Sequence, residues 1–172
     1  DPFAADLVRA IAEGTLQLVH QPLVGRDGTL SGVEALVRWD HPVLGPVGPA
    51  RILSAAEGEG SAADLGRWVL HQALADRRRW IVACGSPAPV PVHLNLSAGE
   101  LGSDALLPML QDELAGAGLE PDSLVLEVRE RLLVDPSHAA KVAELTGAGF
   151  EVLVENAGQG GLSLSDLAGQ RV

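Results

Sequence analysis

The chain has 172 residues, which suits one domain with a sizeable core, and its 47% hydrophobic content favours a folded globular protein. Its formal net charge of -11 leaves no basic footprint of the kind that nucleic-acid binding requires, so we expect no nucleic-acid partner. The single cysteine excludes an internal disulfide, and the absence of a signal-peptide pattern and of a long apolar stretch leads us to expect a cytoplasmic protein without membrane insertion.

The N-terminal part of the sequence predicts one helix followed by a β-hairpin. Apolar spacing predicts a helix over residues 4–14, which ends at a glycine. Strand patterns follow at residues 16–23 and 30–42, with the turn 25–30 between them. This connection is too short for a helix, so we expect the two strands to pair antiparallel.

From residue 49 onward, helical and strand patterns alternate. Helices are predicted at 49–60, 61–85, 99–118 and 136–149, and strands at 89–98, 123–134 and 150–156. Ser61 and Asp64 predict a capping box at the second of these helices, and Pro108 predicts a local irregularity in the third. Strands that alternate with helices favour a mostly parallel α/β sheet or barrel.

Polar residues occur at or near the ends of four of these strands. Alternation along a strand places Glu34, Leu36 and Arg38 on one face of the second strand, and His93 with Asn95 on one face of the third. The oxygen-bearing residues are Glu34, Asn95, Glu127 and Glu155, a set that suits a hard divalent cation. The alternative is that they are ordinary strand-end groups that reach solvent. We expect His93 to be an interior, hydrogen-bonded histidine.

Six sequence blocks occur in the order and spacing of a known family. They are QP at 21–22, GVEALVRWDHP from 32, LGRWVLHQA from 65, HLNLSAGEL from 93, LVLEVRE from 124 and GFEVLVENAGQGGLSLSDL from 149. Over nearly its whole length the chain resembles the EAL domain, the family of cyclic di-GMP phosphodiesterases. The resemblance implies a TIM-like (β/α) barrel of the α/β class with its first strand antiparallel. We expect residues 1–172 to form a single EAL-like domain, truncated before the sixth barrel strand and holding about five of the eight strands.

The resemblance also implies roles for individual residues. Metal ligands are implied at Glu34, Asn95, Glu127 and Glu155, and substrate contacts at Gln21, Leu36 and Arg38. Glu130 matches the carboxylate that braces the loop after the fifth barrel strand. The implied cofactor is Mg²⁺ or Mn²⁺, with Ca²⁺ as an inhibitory ion, and the implied ligand is cyclic di-GMP.

The pair Glu155-Asn156 departs from the family pattern, which has two adjacent aspartates there. Glu155 keeps the charge but is longer by one methylene, about 1.5 Å, and Asn156 replaces a charge with a neutral amide at the second metal position. We therefore expect one well-formed metal site at most. The family's catalytic lysine comes from the sixth barrel strand, and the sole lysine here, Lys141, lies in a predicted helix.

These departures favour a degenerate EAL domain that acts in cyclic di-GMP signalling as a binding or regulatory module, with weak or no hydrolysis. One alternative is an active, metal-dependent cyclic di-GMP phosphodiesterase, so the sequence leaves enzymatic activity open. A second alternative is a protein-interaction scaffold that binds no nucleotide. For each of them the resemblance suggests a homodimer and a larger parent protein with a neighbouring sensory or diguanylate cyclase domain.

Overall fold

A mixed β-sheet with helices against one face organises the computed structural model, which describes residues 2–84 and 90–155. The strands are β1 (Gln17–Val24), β2 (Leu30–His41), β3 (Gly45–Val47), β4 (Val92–Asn95), β5 (Leu124–Arg129) and β6 (Glu151–Glu155). The helices are α1 (Pro2–Glu13), α2 (Pro49–Gly58), α3 (Ala62–Cys84), α4 (Ala98–Leu101), α5 (Leu106–Ala117) and α6 (Pro136–Gly147). Short 3₁₀ segments precede and follow β5, at Pro121–Ser123 and Glu130–Val134.

The sheet runs in the order β1-β2-β4-β5-β6, and β3 pairs with β2 off this path. β1 pairs antiparallel with β2, whereas β2, β4, β5 and β6 pair parallel. This confirms the predicted α/β class and the antiparallel first strand. The prediction missed β3, a short strand that forms because the chain turns back on the end of β2. In the described ranges the sheet remains open, with β1 and β6 at its edges.

The two faces of the sheet differ in chemistry. One face, the outer face, carries buried apolar residues that pack with α3, α5 and α6, among them Ala35, Leu94, Leu126, Val128 and Val154. The opposite, inner face carries the polar residues at alternate positions of the same strands. Val19 and Leu153 on this inner face are 39% and 37% exposed, because the open sheet leaves its inner face partly uncovered.

A second apolar cluster joins α1 and α2 to the end of β2. The Phe3 and Trp39 rings lie 5.3 Å apart, and Trp39 also packs against His41 at 4.6 Å. His41 is buried, and its Nδ1 accepts hydrogen bonds from the backbone N–H groups of Val43 and Leu44. These contacts fix the turn that follows β2.

The structure corrects two predicted boundaries. The helix predicted at 99–118 is two helices, α4 and α5, because α4 ends at Gly102 after a single turn. Pro108 causes no irregularity, since it is the third residue of α5 and its missing N–H belongs to the unpaired first turn. The strand predicted at 123–134 ends at Arg129, opposite the last residue of β6, and continues as a 3₁₀ segment.

The predicted capping box at Ser61 is wrong, because the buried Ser61 Oγ has no hydrogen-bond partner in the described part of the chain. A capping box forms instead at α4, where Ser97 Oγ accepts from the Glu100 N–H and the Glu100 carboxylate accepts from the Ser97 N–H at 2.8 Å. The same carboxylate lies against Gly66 in α3, at a place that a Cβ would occupy. Gly66 therefore lets α3 and α4 approach closely.

No helix within the described ranges combines the length and apolarity needed to cross a membrane.

We predict that Gly66→Ala lowers the free energy of unfolding by about 1–3 kcal/mol, because the new methyl group displaces the held Glu100 carboxylate. Helix propensity alone would raise it by up to about 1 kcal/mol. Urea denaturation measures the difference.

Gly116→Ala in α5 is the matched control, since its Cβ would meet nothing within 4 Å and the substitution should stabilise the protein. In a Glu100→Ala background, Gly66→Ala should also become stabilising. Equal stabilisation by both alanines in the otherwise unchanged chain would contradict the close approach.

Candidate active site

The oxygen-bearing residues predicted from the sequence meet on the inner face of the sheet. Glu34 lies opposite Gln21 of β1 in the antiparallel ladder and beside His93 of β4 in the parallel ladder. Asn95 is in register with Glu127, and Arg129 is in register with Glu155. Asn95 and Glu155 end their strands, whereas Glu34 lies within β2, at the end of its ladder with β4.

Hydrogen bonds join the site residues in pairs across neighbouring strands. Asn95 Nδ2 donates to Glu34 Oε1 at 2.8 Å, and His93 Nδ1 donates to Glu127 Oε1 at 2.7 Å. Glu127 is only 5% exposed. In this arrangement the side chains bind one another. Within residues 2–84 and 90–155, no group of three or more His, Cys, Asp or Glu side chains is placed to hold a metal ion. The roles of these residues as metal ligands therefore stay predictions.

A cavity of ≈ 270 Å³ opens beside these residues. Its polar end is lined by Glu34, Asn95, Arg129 and Glu155, and Leu36 also lines it. The cavity continues between α2, α3 and α5, along apolar side chains and the carboxylates of Glu57 and Glu100. The cavity lining therefore combines apolar side chains with charged groups at both ends.

Negative charge concentrates at the polar end of the cavity. Burial raises the pKa of Glu155, the nearby Glu127 and Glu34 raise it further, and Arg129 opposes the rise. Farther along the cavity, burial also raises the pKa of Glu100, while its hydrogen bonds from Ser97 oppose the effect. The site is therefore an acidic cluster, and Arg129 lies beside Glu155 in the β5–β6 ladder.

The residues predicted to contact substrate lie on the same side of the sheet. Gln21 is exposed on β1, and Leu36 faces the cavity. Arg38 shares the face of Glu34 and Leu36, but its guanidinium donates to the Val37 carbonyl at 2.9 Å. To reach a phosphate it must first leave this backbone partner.

The remaining predicted residues are less informative. Glu130 is 2% exposed and starts the 3₁₀ segment directly after β5. Glu130 is predicted to brace the loop after the fifth barrel strand, which is β6 of this structure. The residues after Glu155, Asn156 included, lie outside the described ranges. Lys141 is buried in α6, where its Nζ lies 2.7 Å from Glu144. Lys141 and Glu144 thus form an ion pair within α6, and neither residue lines the cavity.

The sequence analysis did not single out Arg129, and it named no hydrogen-bond partner for His93. Arg129 follows Glu127 by two positions in one strand, so alternation alone would have placed both on the same face. His93 was predicted to be interior and hydrogen-bonded, which the structure confirms. Its partner is Glu127 on the next strand, and strand pairing cannot be deduced from the local pattern.

The family model of the EAL domain matches residues 4–172. The chain belongs to the EAL domain family. Among solved structures, the PaMucR phosphodiesterase in complex with c-di-GMP superposes with a TM-score of 0.88 and 31% sequence identity, over 98% of this chain and 68% of that chain.

Two curated relatives show how this EAL domain relates to longer proteins. An uncharacterized signaling protein of Caulobacter vibrioides is 35% identical over 168 residues, which cover 96% of this chain and 20% of that protein. MucR of Pseudomonas aeruginosa, a bifunctional diguanylate cyclase/cyclic di-GMP phosphodiesterase, is 34% identical over 162 residues, which cover 92% of this chain and 23% of MucR. The chain thus spans less than a quarter of either relative.

We predict that Glu127→Gln lowers the pKa of Glu155 toward its ordinary value, because it removes the charge with the larger effect of the two that raise it. A carboxyl whose pKa is raised on folding binds protons more tightly in the folded state, so the free energy of unfolding falls as pH rises from the ordinary to the raised pKa. Glu127→Gln should flatten that decline. Carbon-13 NMR titration of the Glu155 carboxyl measures the shift.

The control for this titration is Glu151→Gln, at the other end of β6. It lies about 13 Å from Glu155 along the strand and should leave the titration unchanged. An unchanged Glu155 titration in Glu127→Gln would show that the two carboxylates do not interact.

Proposed function

We propose that the chain is a degenerate EAL domain, spanning residues 1–172, which acts in cyclic di-GMP signalling as a binding or regulatory module with weak or no hydrolysis. The observation that carries the proposal is the meeting of Glu34, Asn95, Glu127 and Glu155 on one sheet face, beside a cavity. The likeness to MucR, whose name states cyclic di-GMP phosphodiesterase activity, supplies the ligand class.

The donor set fits a hard divalent cation. Carboxylate and amide oxygens are the ligands that Mg²⁺ and Mn²⁺ prefer, and Ca²⁺ binds the same donors with looser geometry. The raised pKa of Glu155 reflects burial first and the negative charges of Glu127 and Glu34 second, with Arg129 opposing them. When bound, the cation would polarise a phosphoryl oxygen and activate water. Glu34, Glu127 and Glu155 would hold it, with Asn95 turning its amide oxygen toward it.

Cationic side chains support the choice of an anionic ligand. Cyclic di-GMP carries two phosphodiester groups, and the protein is strongly acidic overall, with a formal net charge of -11. Local positive charge must therefore offset the background. Arg129 already lines the cavity, and Arg38 can reach a phosphate by exchanging the Val37 carbonyl for it, because a charged acceptor binds a guanidinium more strongly than a neutral carbonyl does.

Three features support loss of hydrolysis. The longer Glu155 side chain moves its carboxylate by about 1.5 Å relative to an aspartate, whereas metal–ligand distances are held to about 0.2 Å. Its raised pKa means that a proton competes with the cation for the same oxygens. Asn156 brings a neutral amide to the position of the second metal ligand. We propose one metal site at most.

An active phosphodiesterase is the second candidate. It is favoured by the retention of Glu34, Arg38, Asn95 and Glu127 in a chain that is 34% identical to MucR. Because the relatives extend far beyond the matched segment, we also propose a larger parent protein with a sensory or diguanylate cyclase domain. The cytoplasmic location and the homodimer expected from the sequence stay predictions.

The proposal predicts that the full-length parent protein binds cyclic di-GMP in calorimetry and linearises it slowly or not at all with Mg²⁺ or Mn²⁺. Arg38→Ala should weaken binding at least tenfold, because it removes a charge-assisted phosphate contact. Arg26→Ala, in the exposed β1–β2 turn, is the matched control and should leave the affinity unchanged.

Rapid metal-dependent formation of the linear dinucleotide, abolished in Glu34→Ala, would reject degeneracy and establish the enzyme. No binding at high micromolar cyclic di-GMP, with or without metal, would reject both the binding module and the phosphodiesterase. The protein-interaction scaffold would then be the remaining candidate.

A further inference from the structure

His93 has a specific place in the acidic cluster that none of the predicted site roles uses. Its Nδ1 lies 2.7 Å from Glu127 Oε1, and the two side chains are 12% and 6% exposed. A hydrogen bond in so dry a position is costly to lose, because neither partner can recover it from water. Since a carboxylate only accepts, the imidazole must carry its proton on Nδ1.

The neighbouring strand is shaped to hold the ring. Gly32 of β2 lies on the same inner face as Glu34, and a Cβ there would come within 2.5 Å of His93 Nε2 and 2.7 Å of its Cδ2. Its backbone does not require glycine, since Gly32 is not among the described glycines with positive φ. The missing side chain at position 32 therefore provides space for the imidazole.

We propose that His93 is a positioning residue for Glu127: its ring occupies the space beside Gly32, and its hydrogen bond fixes the orientation of the Glu127 carboxylate on the inner face. A carboxylate on a strand can rotate about its side-chain bonds, and a hydrogen bond to one oxygen removes most of that freedom. Groups that orient metal ligands in this way typically contribute 10- to 100-fold to metal affinity. The consequence for metal binding rests on the proposed function, whereas the orientation of Glu127 does not.

The hydrogen bond is tested without metal by nitrogen-15 NMR of the full chain. We expect His93 to show a protected Nδ1–H proton with the downfield shift of a charge-assisted bond. Glu127→Gln should move that signal upfield, because the acceptor becomes neutral. A His93 ring protonated only on Nε2 would overturn the proposal, and so would an Nδ1–H chemical shift that stays the same in Glu127→Gln.

The positioning effect is tested by titrating the full chain with Mn²⁺ alone. His93→Leu should weaken Mn²⁺ binding 10- to 100-fold. His93→Asn should restore most of the affinity, because the amide nitrogen of asparagine occupies nearly the position of Nδ1. His71→Leu, at an exposed histidine of α3 outside the site, is the control and should change nothing. Thermal unfolding of each variant separates lost folding from lost positioning, since a purely structural histidine would not be rescued selectively by asparagine.

Gly32 gives an independent test. Gly32→Ala should weaken Mn²⁺ binding about as much as His93→Leu does, because the new methyl group displaces the ring. In a His93→Ala background, Gly32→Ala should have no further effect. Additive losses in this double-mutant cycle would show that the two residues act separately. That result would contradict the proposal that Gly32 provides the space for the His93 ring.

The outcomes distinguish the two proposals. If the unchanged chain binds Mn²⁺ and His93→Leu binds it equally well, the positioning role fails and the proposed function stands. If the NMR signal responds to Glu127→Gln but the unchanged chain takes no Mn²⁺, the metal site fails and the orientation of Glu127 by His93 stands.

Discussion

Parallel pairing of β2, β4, β5 and β6 is the constraint on which the candidate site depends. It brings Glu34, Glu127 and Glu155 to one face of one sheet, where burial and the charges of the other two carboxylates raise the pKa of Glu155. The fold tolerates this repulsion because its stability comes from the opposite face, where the apolar side chains of the same strands pack against helices. Burying the outer face therefore fixes the acidic face as well, since a one-residue slip would exchange the two.

The groups that offset the repulsion do so in different ways. Asn95 donates to Glu34 through the amide nitrogen, so a cation at Glu34 requires that amide to turn and present its oxygen. His93 instead hydrogen-bonds a single oxygen of Glu127, Oε1. Arg129 acts on Glu155 through its positive charge, which lowers the pKa of that carboxyl. Of the three interactions, the one at Glu34 competes most directly with a cation.

Local sequence patterns predicted the parts of this structure that local physics decides. Alternation placed Glu34, Leu36 and Arg38 on one face, and the short connection after residue 24 predicted the hairpin. The patterns failed in two places. Ser97 was assigned to the predicted strand, so the capping box that begins α4 was not recognised. Gly66 contacts the carboxylate of Glu100, 34 positions away, and no local pattern encodes that contact. Arg38 was placed on the right strand face, but its contact with the Val37 carbonyl depends on side-chain rotation that periodicity does not encode.

The opposing influences on Glu155 bear on what the site can do. Its cross-strand neighbour Arg129 favours the charged carboxylate, while burial and two acidic neighbours favour the proton, and the net direction is toward the proton. At the proposed metal site, a divalent cation would reverse that balance, because Glu34 and Glu127 would become fellow ligands instead of repelling neighbours. Its binding would then release a proton from Glu155, and the cost of that release would reduce metal affinity most at low pH. The proposed receptor function requires less of this site than fast hydrolysis does, because Arg38 and Arg129 would contact an anionic nucleotide without a bound metal.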